Sequence, residues 1–211
     1  MITMDNWDVH WKNTNMSSFG ITSLALGFHH STIFKIYDRF LNKVKMDSPD
    51  QIELGCGTGE LALRIYKKYG GSVTLVDRSD VALRRAQENL QRNRIKAKVL
   101  KRDLFKFSSQ KKYDIVHSEG LIEHFLGDEQ KKIVKAHIKC LKKDGYLIIS
   151  VPRPAWYYKI WKWSSEKMGT WPFGFESAMD KSRLKEVLES CGLKVLDYLN
   201  YNRYSFALAK I

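Results

Sequence analysis

Apolar residues along this chain change their spacing repeatedly, and the changes fall in a regular order. Short β-branched runs at 51–54, 72–77, 97–101, 113–117 and 145–151 read as strands. The segments between them carry apolar residues at helical spacing, at 60–69, 81–93 and 130–141. The last of these gathers Ile133, Val134, His137, Ile138 and Leu141 on one face. Strand and helix in alternation predict βαβ units and a mainly parallel sheet. Upstream, 31–44 reads as a helix with Ile33, Phe34, Ile36, Tyr37, Phe40, Leu41 and Val44 on a broad apolar face, preceded by a polar, irregular segment to about residue 27. Downstream, 182–191 reads as a helix that Gly192 can end, followed by strands at 193–199 and 204–209 around a polar turn. Such an ending suits an antiparallel hairpin at one side of the sheet. The expected fold is an α/β three-layer sandwich with a mainly parallel seven-stranded sheet and an antiparallel C-terminal hairpin.

No proline- or serine-rich linker interrupts the 211 residues, so one domain is expected. Within it, 1–46 forms an N-terminal cap and helix, 50–151 a core, 152–176 an aromatic insertion and 177–211 a terminal helix and hairpin. The formal charge of +13 favours polyanions, acidic lipid or an anionic small substrate. Its lysines and arginines are scattered, and the runs at 92–101 and 131–143 fall on helix faces and strand ends. A solvated surface therefore outweighs a nucleic-acid groove. No apolar run is long enough to span a bilayer, and residues 1–10 do not resemble a secretory signal, so a cytoplasmic location is expected. Cys56, Cys140 and Cys191 lack paired spacing, and His29-His30 has no acidic or thiol companion at ligand spacing. Reduced thiols and no metal are expected.

Candidate chemistry begins directly after the first strand, in Glu53-Leu54-Gly55-Cys56-Gly57-Thr58-Gly59-Glu60. Glycines there permit a tight turn, and backbone N–H groups at a helix start can approach a nucleotide-type ligand. Residues 57–62 also satisfy the G-x-G-x-x-A dinucleotide pattern, which keeps an NAD(P)-dependent oxidoreductase open as a rival. Asp77 ends the second strand where a carboxylate can accept both ribose hydroxyls, with Arg78 following it. Asp103, followed by Leu104, ends the third, within reach of a base's exocyclic amine. Glu53, Asp77 and Asp103 thus stand at three successive strand ends and converge on one crevice.

In this order the motifs resemble the cofactor-binding core of class I S-adenosylmethionine-dependent methyltransferases, whose fold is Rossmann-like. Glu53 to Gly59 is similar to the family's first motif, while Asp77 and Asp103 match its ribose- and adenine-binding acids. Residues 113–125, with the Glu123-His124 pair, are similar to the fourth motif, and 141–150 to the fifth strand and the turn before it. The resemblance implies S-adenosyl-L-methionine as cofactor, S-adenosyl-L-homocysteine as product, and a cofactor site that includes Gly55, Cys56, Gly57, Gly59, Ser118 and Glu119.

Methyl transfer from a sulfonium is an in-line displacement, for which positioning and exclusion of water matter most. His124 is the candidate base should the acceptor need to lose a proton; it could equally pack or cap locally. The Asn/Asp-Pro-Pro-Tyr/Phe motif of base-methylating members is absent, with Ser118-Glu119-Gly120-Leu121 in its place. A small-molecule or lipid-like acceptor is expected, with RNA-associated methylation and a non-catalytic binding module as alternatives. Aromatic residues crowd 152–176, Trp156, Tyr157, Tyr158, Trp161, Trp163, Trp171 and Phe175 among them, with Lys159, Lys162 and Lys167. They could form a lid over the acceptor, an interfacial helix in peripheral membrane contact with its tryptophans at headgroup level and its lysines facing anionic lipid, or plain core. Trp156 and Tyr157 are substrate-side candidates. So are Trp7 and Trp11, which, near Asp8 and His10, could fold over the cofactor because an indole face attracts a sulfonium cation.

Overall fold

In a computed structural model the chain is described at residues 7, 8, 11, 21–171 and 174–211. His10 and the side chain of His29 lie outside the described residues. The elements in chain order are α1 (Ile21–Lys43), β1 (Asp50–Leu54), α2 (Glu60–Tyr69), β2 (Ser72–Asp77), α3 (Asp80–Arg92) and β3 (Lys98–Lys101). They continue with β4 (Tyr113–Glu119), a 3-10 turn (Ile122–His124), α4 (Gly127–Cys140), β5 (Leu141–Pro152), α5 (Trp156–Lys167), α6 (Lys181–Glu189), β6 (Lys194–Tyr201) and β7 (Tyr204–Lys210).

Seven strands form one sheet in the order β3-β2-β1-β4-β5-β7-β6. The first five are parallel, and β7 enters antiparallel between β5 and β6. This α/β sandwich is the architecture expected from the alternation of periods. Central strands β1 and β4 are buried although polar residues interrupt them, and the buried polar side chains pair with one another or with a neighbouring layer, His117 with Gln51 at 3.1 Å and Ser118 with His137 at 3.0 Å. Edge strand β3 is short, with exposed lysines at both ends, which discourages pairing with another chain.

The helices divide between the faces. Ile33, Tyr37, Phe40 and Leu41 of α1 pack with Leu61 and Ile65 of α2 against Ile115, Ile148, Phe206 and Leu208. On the other face Ile133 and Val134 of α4 and Leu184 and Leu188 of α6 cover Ile52, Leu54, Val116 and Leu147. One sheet order therefore fixes both layers and brings the carboxyl ends of β1 to β5 to a common edge, where a parallel sheet holds its ligands.

Three expectations need correction. Helix α1 begins at Ile21, so residues 21–27 continue the helix instead of preceding it irregularly; Leu24-Ala25-Leu26 are strong helix formers and no proline stops them. Strand β5 begins at Leu141, not 145, because its register with β4 shifts between Tyr113 and Ile115 and absorbs the polar residues 142–145 as an irregularity. Gly145 makes this possible, since a Cβ there would sit 2.8 Å from the Tyr113 carbonyl oxygen. The third concerns the aromatic insertion, whose run at 156–167 is a regular helix, α5, as only one of its three expected readings required.

Candidate active site

The glycine loop turns back under β2 and opens α2. Gly55, Gly57 and Gly59 all have left-handed φ values, of 68°, 52° and 69°. At Gly57 two constraints coincide: a side chain is strained by φ, and its Cβ would stand 2.7 Å from the Trp11 indole. Asp77 fastens this loop to β2. Its Oδ2 accepts from Gly57 N–H at 3.0 Å and its Oδ1 from Ser79 N–H at 2.9 Å. Burial raises the Asp77 pKa, while these backbone donors and Arg78 pull it down. Asp103 is partly exposed in the loop after β3, and its Oδ1 accepts from Phe105 N–H at 3.0 Å. Leu104 packs beside it against the apolar core.

Beneath the loop, Glu53 is buried and accepts from Ala62 N–H at 3.3 Å. Burial pushes its carboxyl well above the usual range, and repulsion from Glu119, Asp77 and Glu60 adds to this. Cys56 is also buried, with its thiol raised chiefly by burial. Several carboxylates thus face one another within a chain whose net charge is +13. A ligand carrying a sulfonium and an ammonium relieves that repulsion, so the residues fit S-adenosylmethionine by charge as well as by backbone geometry.

Ser118 does not face the crevice as expected. Its hydroxyl lies 3.0 Å from His137 Nε2 in the core, and its carbonyl oxygen accepts from the Tyr37 hydroxyl at 3.0 Å. Residues alternate across a strand, so Glu119 is the neighbour at the crevice, where its charge is felt by both Glu53 and Glu123.

His124 occupies the 3-10 turn after β4, and its Nδ1 stands 2.7 Å from the Phe175 carbonyl oxygen. A carbonyl only accepts, so in the neutral ring Nδ1 carries the proton and Nε2 the lone pair. Trp7 meets the same ring edge-on, with centroids 4.7 Å apart. Asp8 bonds the Ser79 hydroxyl. Trp11 lies over Gly57, with the Arg85 guanidinium 5.8 Å from its ring centre and bonding its carbonyl. Trp7, Asp8 and Trp11 thus lie across the crevice between the end of β4 and α3.

Next to His124 the fold buries two carboxyls, Glu123, named in the sequence only as half of the Glu123-His124 pair, and Glu176, which the sequence did not single out. Glu123 is 1% exposed and its Oε2 finds no partner among the described residues. Glu176 accepts from the Tyr158 hydroxyl at 2.5 Å. Burial raises both, and Glu176 repels Glu123 further. The Glu123-His124 pair was a visible signal. Glu176 lies 52 residues beyond His124, in a segment without periodicity, and could be placed only by the fold. Of the two substrate-side candidates in the insertion, Trp156 is 73% exposed and Tyr157 38%, while their neighbour Tyr158 is buried.

Fold and crevice define a nucleotide-cofactor enzyme of the α/β class, but not the dinucleotide kind, whose strand order 3-2-1-4-5-6 lacks the antiparallel β7 between β5 and β6. Residues 48–192 match the family described as methyltransferase domain, and the chain belongs to it. The class is that of S-adenosylmethionine-dependent methyltransferases with S-adenosylmethionine as cofactor, and the NAD reading is set aside. The chain is 31% identical over 144 residues to a ribosomal protein L11 methyltransferase of Thermosipho melanesiensis, covering 68% of this chain and 53% of that protein. It is 30% identical over 145 residues to a ubiquinone biosynthesis O-methyltransferase of Rickettsia akari, covering 67% and 54%. It therefore spans about half the length of these relatives. In fold it is similar to magnesium protoporphyrin IX methyltransferase from Synechocystis PCC 6803 with bound S-adenosylhomocysteine, at TM-score 0.74, 16% identity and coverage of 97% and 94%. It is also similar to an S-adenosylmethionine-dependent methyltransferase from Clostridium acetobutylicum, at TM-score 0.67, 18% identity and coverage of 87% and 91%.

Proposed function

We propose that the chain methylates a small-molecule or lipid-like acceptor held between the 3-10 turn and the aromatic insertion, with His124 as general base. The observation that carries this reading is the position of His124. The ring is fixed through Nδ1 to the insertion, flanked by Trp7, and set one turn beyond the strand end that bears Glu119. A neutral imidazole so held presents Nε2 to a proton-bearing acceptor atom.

S-adenosylmethionine, when bound, supplies an electrophilic methyl group on a cationic sulfur. Asp77 and Asp103 hold the ribose and adenine portions, and Glu53, Gly55 and Gly57 shape the floor, with Gly59, Cys56, Leu104 and Arg78 in support. Glu119 faces the cationic portion. Trp7 and Trp11 exclude water from above, which strengthens each charge interaction inside.

The ubiquinone-pathway relative and the porphyrin methyltransferase support an apolar small acceptor. The L11 relative supports a protein acceptor instead, and the scattered positive charge leaves an RNA-associated reaction as a third outcome. The test is methyl-labelled S-adenosylmethionine incubated with the protein and a cell extract, followed by separation of lipid, small-molecule, protein and RNA fractions. Label in the lipid or small-molecule fraction, lost with His124→Gln, supports the proposal. Label in protein or RNA moves the acceptor class. Binding of S-adenosylhomocysteine without any labelled product identifies a non-catalytic module.

A further inference from the structure

The inward residues of α5 are Tyr158 and Ser165, both buried. At about 100° per residue, Trp156, Ile160, Trp163 and Lys167 form one stripe on the opposite side. That stripe faces water. Trp156 is 73% exposed, Ile160 57% and Trp163 58%, and Met168 just past the helix end is 67% exposed. Lys159 and Lys167 are exposed beside them, with the Lys167 ammonium 4.4 Å from the centre of the Trp163 ring. The helix carries three lysines against one glutamate, Glu166.

A contiguous apolar face on the water side of a helix marks an interaction surface, and its chemistry selects the occupant. A second copy of this chain is disfavoured, because two molecules of charge +13 would bring lysines against lysines. An apolar protein groove would leave Lys159 and Lys167 to be desolvated. An anionic bilayer suits every component: indoles at headgroup depth, Ile160 and Met168 among the acyl chains, and lysines against the phosphates.

We propose that α5 is an interfacial helix through which the protein docks reversibly on anionic membrane. It follows the carboxyl end of β5, so docking brings the mouth of the crevice to the lipid surface. Phe175, 42% exposed, and Tyr201, 41% exposed in the β6–β7 hairpin, stand at the same edge. Docking is separate from catalysis and does not require any particular acceptor.

The test is co-sedimentation of the full chain with vesicles of phosphatidylcholine alone or mixed with phosphatidylglycerol, with tryptophan emission as a second reading. Binding to the anionic vesicles with a blue shift is expected, and the Trp156→Glu/Trp163→Glu variant should lose both. A lysine near such a surface contributes roughly fivefold to binding, so Lys159→Gln/Lys167→Gln should weaken it roughly twenty-five-fold. Absence of vesicle binding overturns the proposal, as does binding that the tryptophan variant retains or that neutral vesicles match. Concentration-dependent dimerisation abolished by the same variant would assign the stripe to a second copy and overturn it equally. S-adenosylhomocysteine titration of each variant reads the cofactor site separately, so failure here is distinguishable from failure of the methyltransferase reading.

Discussion

Replacing Asp77 with asparagine strikes the point where the glycine loop, β2 and the cofactor meet. The two carboxylate oxygens serve separate backbone donors, Gly57 N–H at 3.0 Å and Ser79 N–H at 2.9 Å. Asparagine can keep one of these bonds and must turn its own N–H groups toward the other donor. One charge-assisted bond, with a net contribution of about 1.5–3 kcal/mol, becomes a donor–donor contact. Burial already penalises the charge at this position, which offsets part of the loss. A net cost of about 1–2 kcal/mol remains, a fall in Tm of roughly 2–8 °C for a chain of this size. Binding should suffer more, because ribose hydroxyls lose a charged acceptor at the same time. Two such bonds correspond to about 2–4 kcal/mol, or roughly 30- to 1,000-fold in Kd. Asp103→Asn is the comparison: Asp103 is partly exposed and holds Phe105 N–H within a single loop, so its replacement should weaken binding with little change in Tm. The assay is calorimetric titration of S-adenosylhomocysteine into each protein beside thermal unfolding. Wild-type affinity in Asp77→Asn would refute the ribose assignment. A wild-type protein that prefers NAD would refute the reading of the whole crevice.

Trp11→Ala removes the indole over Gly57 and the partner of Arg85, and should weaken binding of S-adenosylmethionine, which carries the sulfonium, about tenfold and of S-adenosylhomocysteine, which does not, by less; unchanged affinity for both would reduce Trp11 to packing. His124→Gln should lower kcat on a proton-bearing acceptor by roughly 10²- to 10⁴-fold. Its cofactor affinity should stay at the wild-type value, and parallel loss of both would indicate a structural role. Burial depresses the pKa of His137 to about 4 and of His117 to about 3, from an ordinary 6.5. The unfolded chain therefore binds more protons below pH 6.5, and stability from these rings falls as pH drops from 6.5 toward 4. By linkage each loses about 2 kcal/mol between pH 7 and pH 5. In urea unfolding, His137→Gln should be less stable at pH 7 and lose less on acidification than the wild type; an identical pH slope would contradict the shift.

What the sequence made legible follows from which interactions are local. Alternating periods between residues 50 and 151 report one buried face at a time, so strands β1 to β4 and the helices between them could be placed to within about two residues, whereas the starts of α4 and β5 were missed by three and four. The hairpin was equally plain, because β6 and β7 pair across a turn in which Asn202 takes a left-handed φ of 50°. Asp77 and Asp103 could be read from their positions at strand ends. Ser118 could not: whether a strand residue faces the crevice or the core depends on what the next layer offers, here His137 on α4. Helix α5 was one of three readings of the aromatic insertion and could not be chosen from sequence, because its apolar residues lie on both the buried and the water side. Glu176 and Tyr158 meet through a fold-back of the insertion that leaves no periodic trace.

The distribution of charge links these parts. Outside, the surplus of lysine and arginine acts over a Debye length of about 8–10 Å before salt screens it, enough to bias approach to an anionic surface. Inside, Glu53, Asp77 and Glu119 act at short range in a poorly solvated crevice, where screening is weak and a cationic ligand gains most. A single sign of charge throughout would favour one encounter at the expense of the other, repelling the cofactor if basic and an anionic surface if acidic. The fold separates them by topology. Carboxylates come from the carboxyl ends of parallel strands, where the sheet edge opens, whereas most lysines project from helix faces and from the outer side of α5. The stripe of Trp156, Ile160 and Trp163 lies beside the mouth of the crevice because the connection after β5 must cross that edge before β7 can enter the sheet. The strand order that places cofactor residues at one edge thus also requires the most exposed apolar helix to pass alongside it.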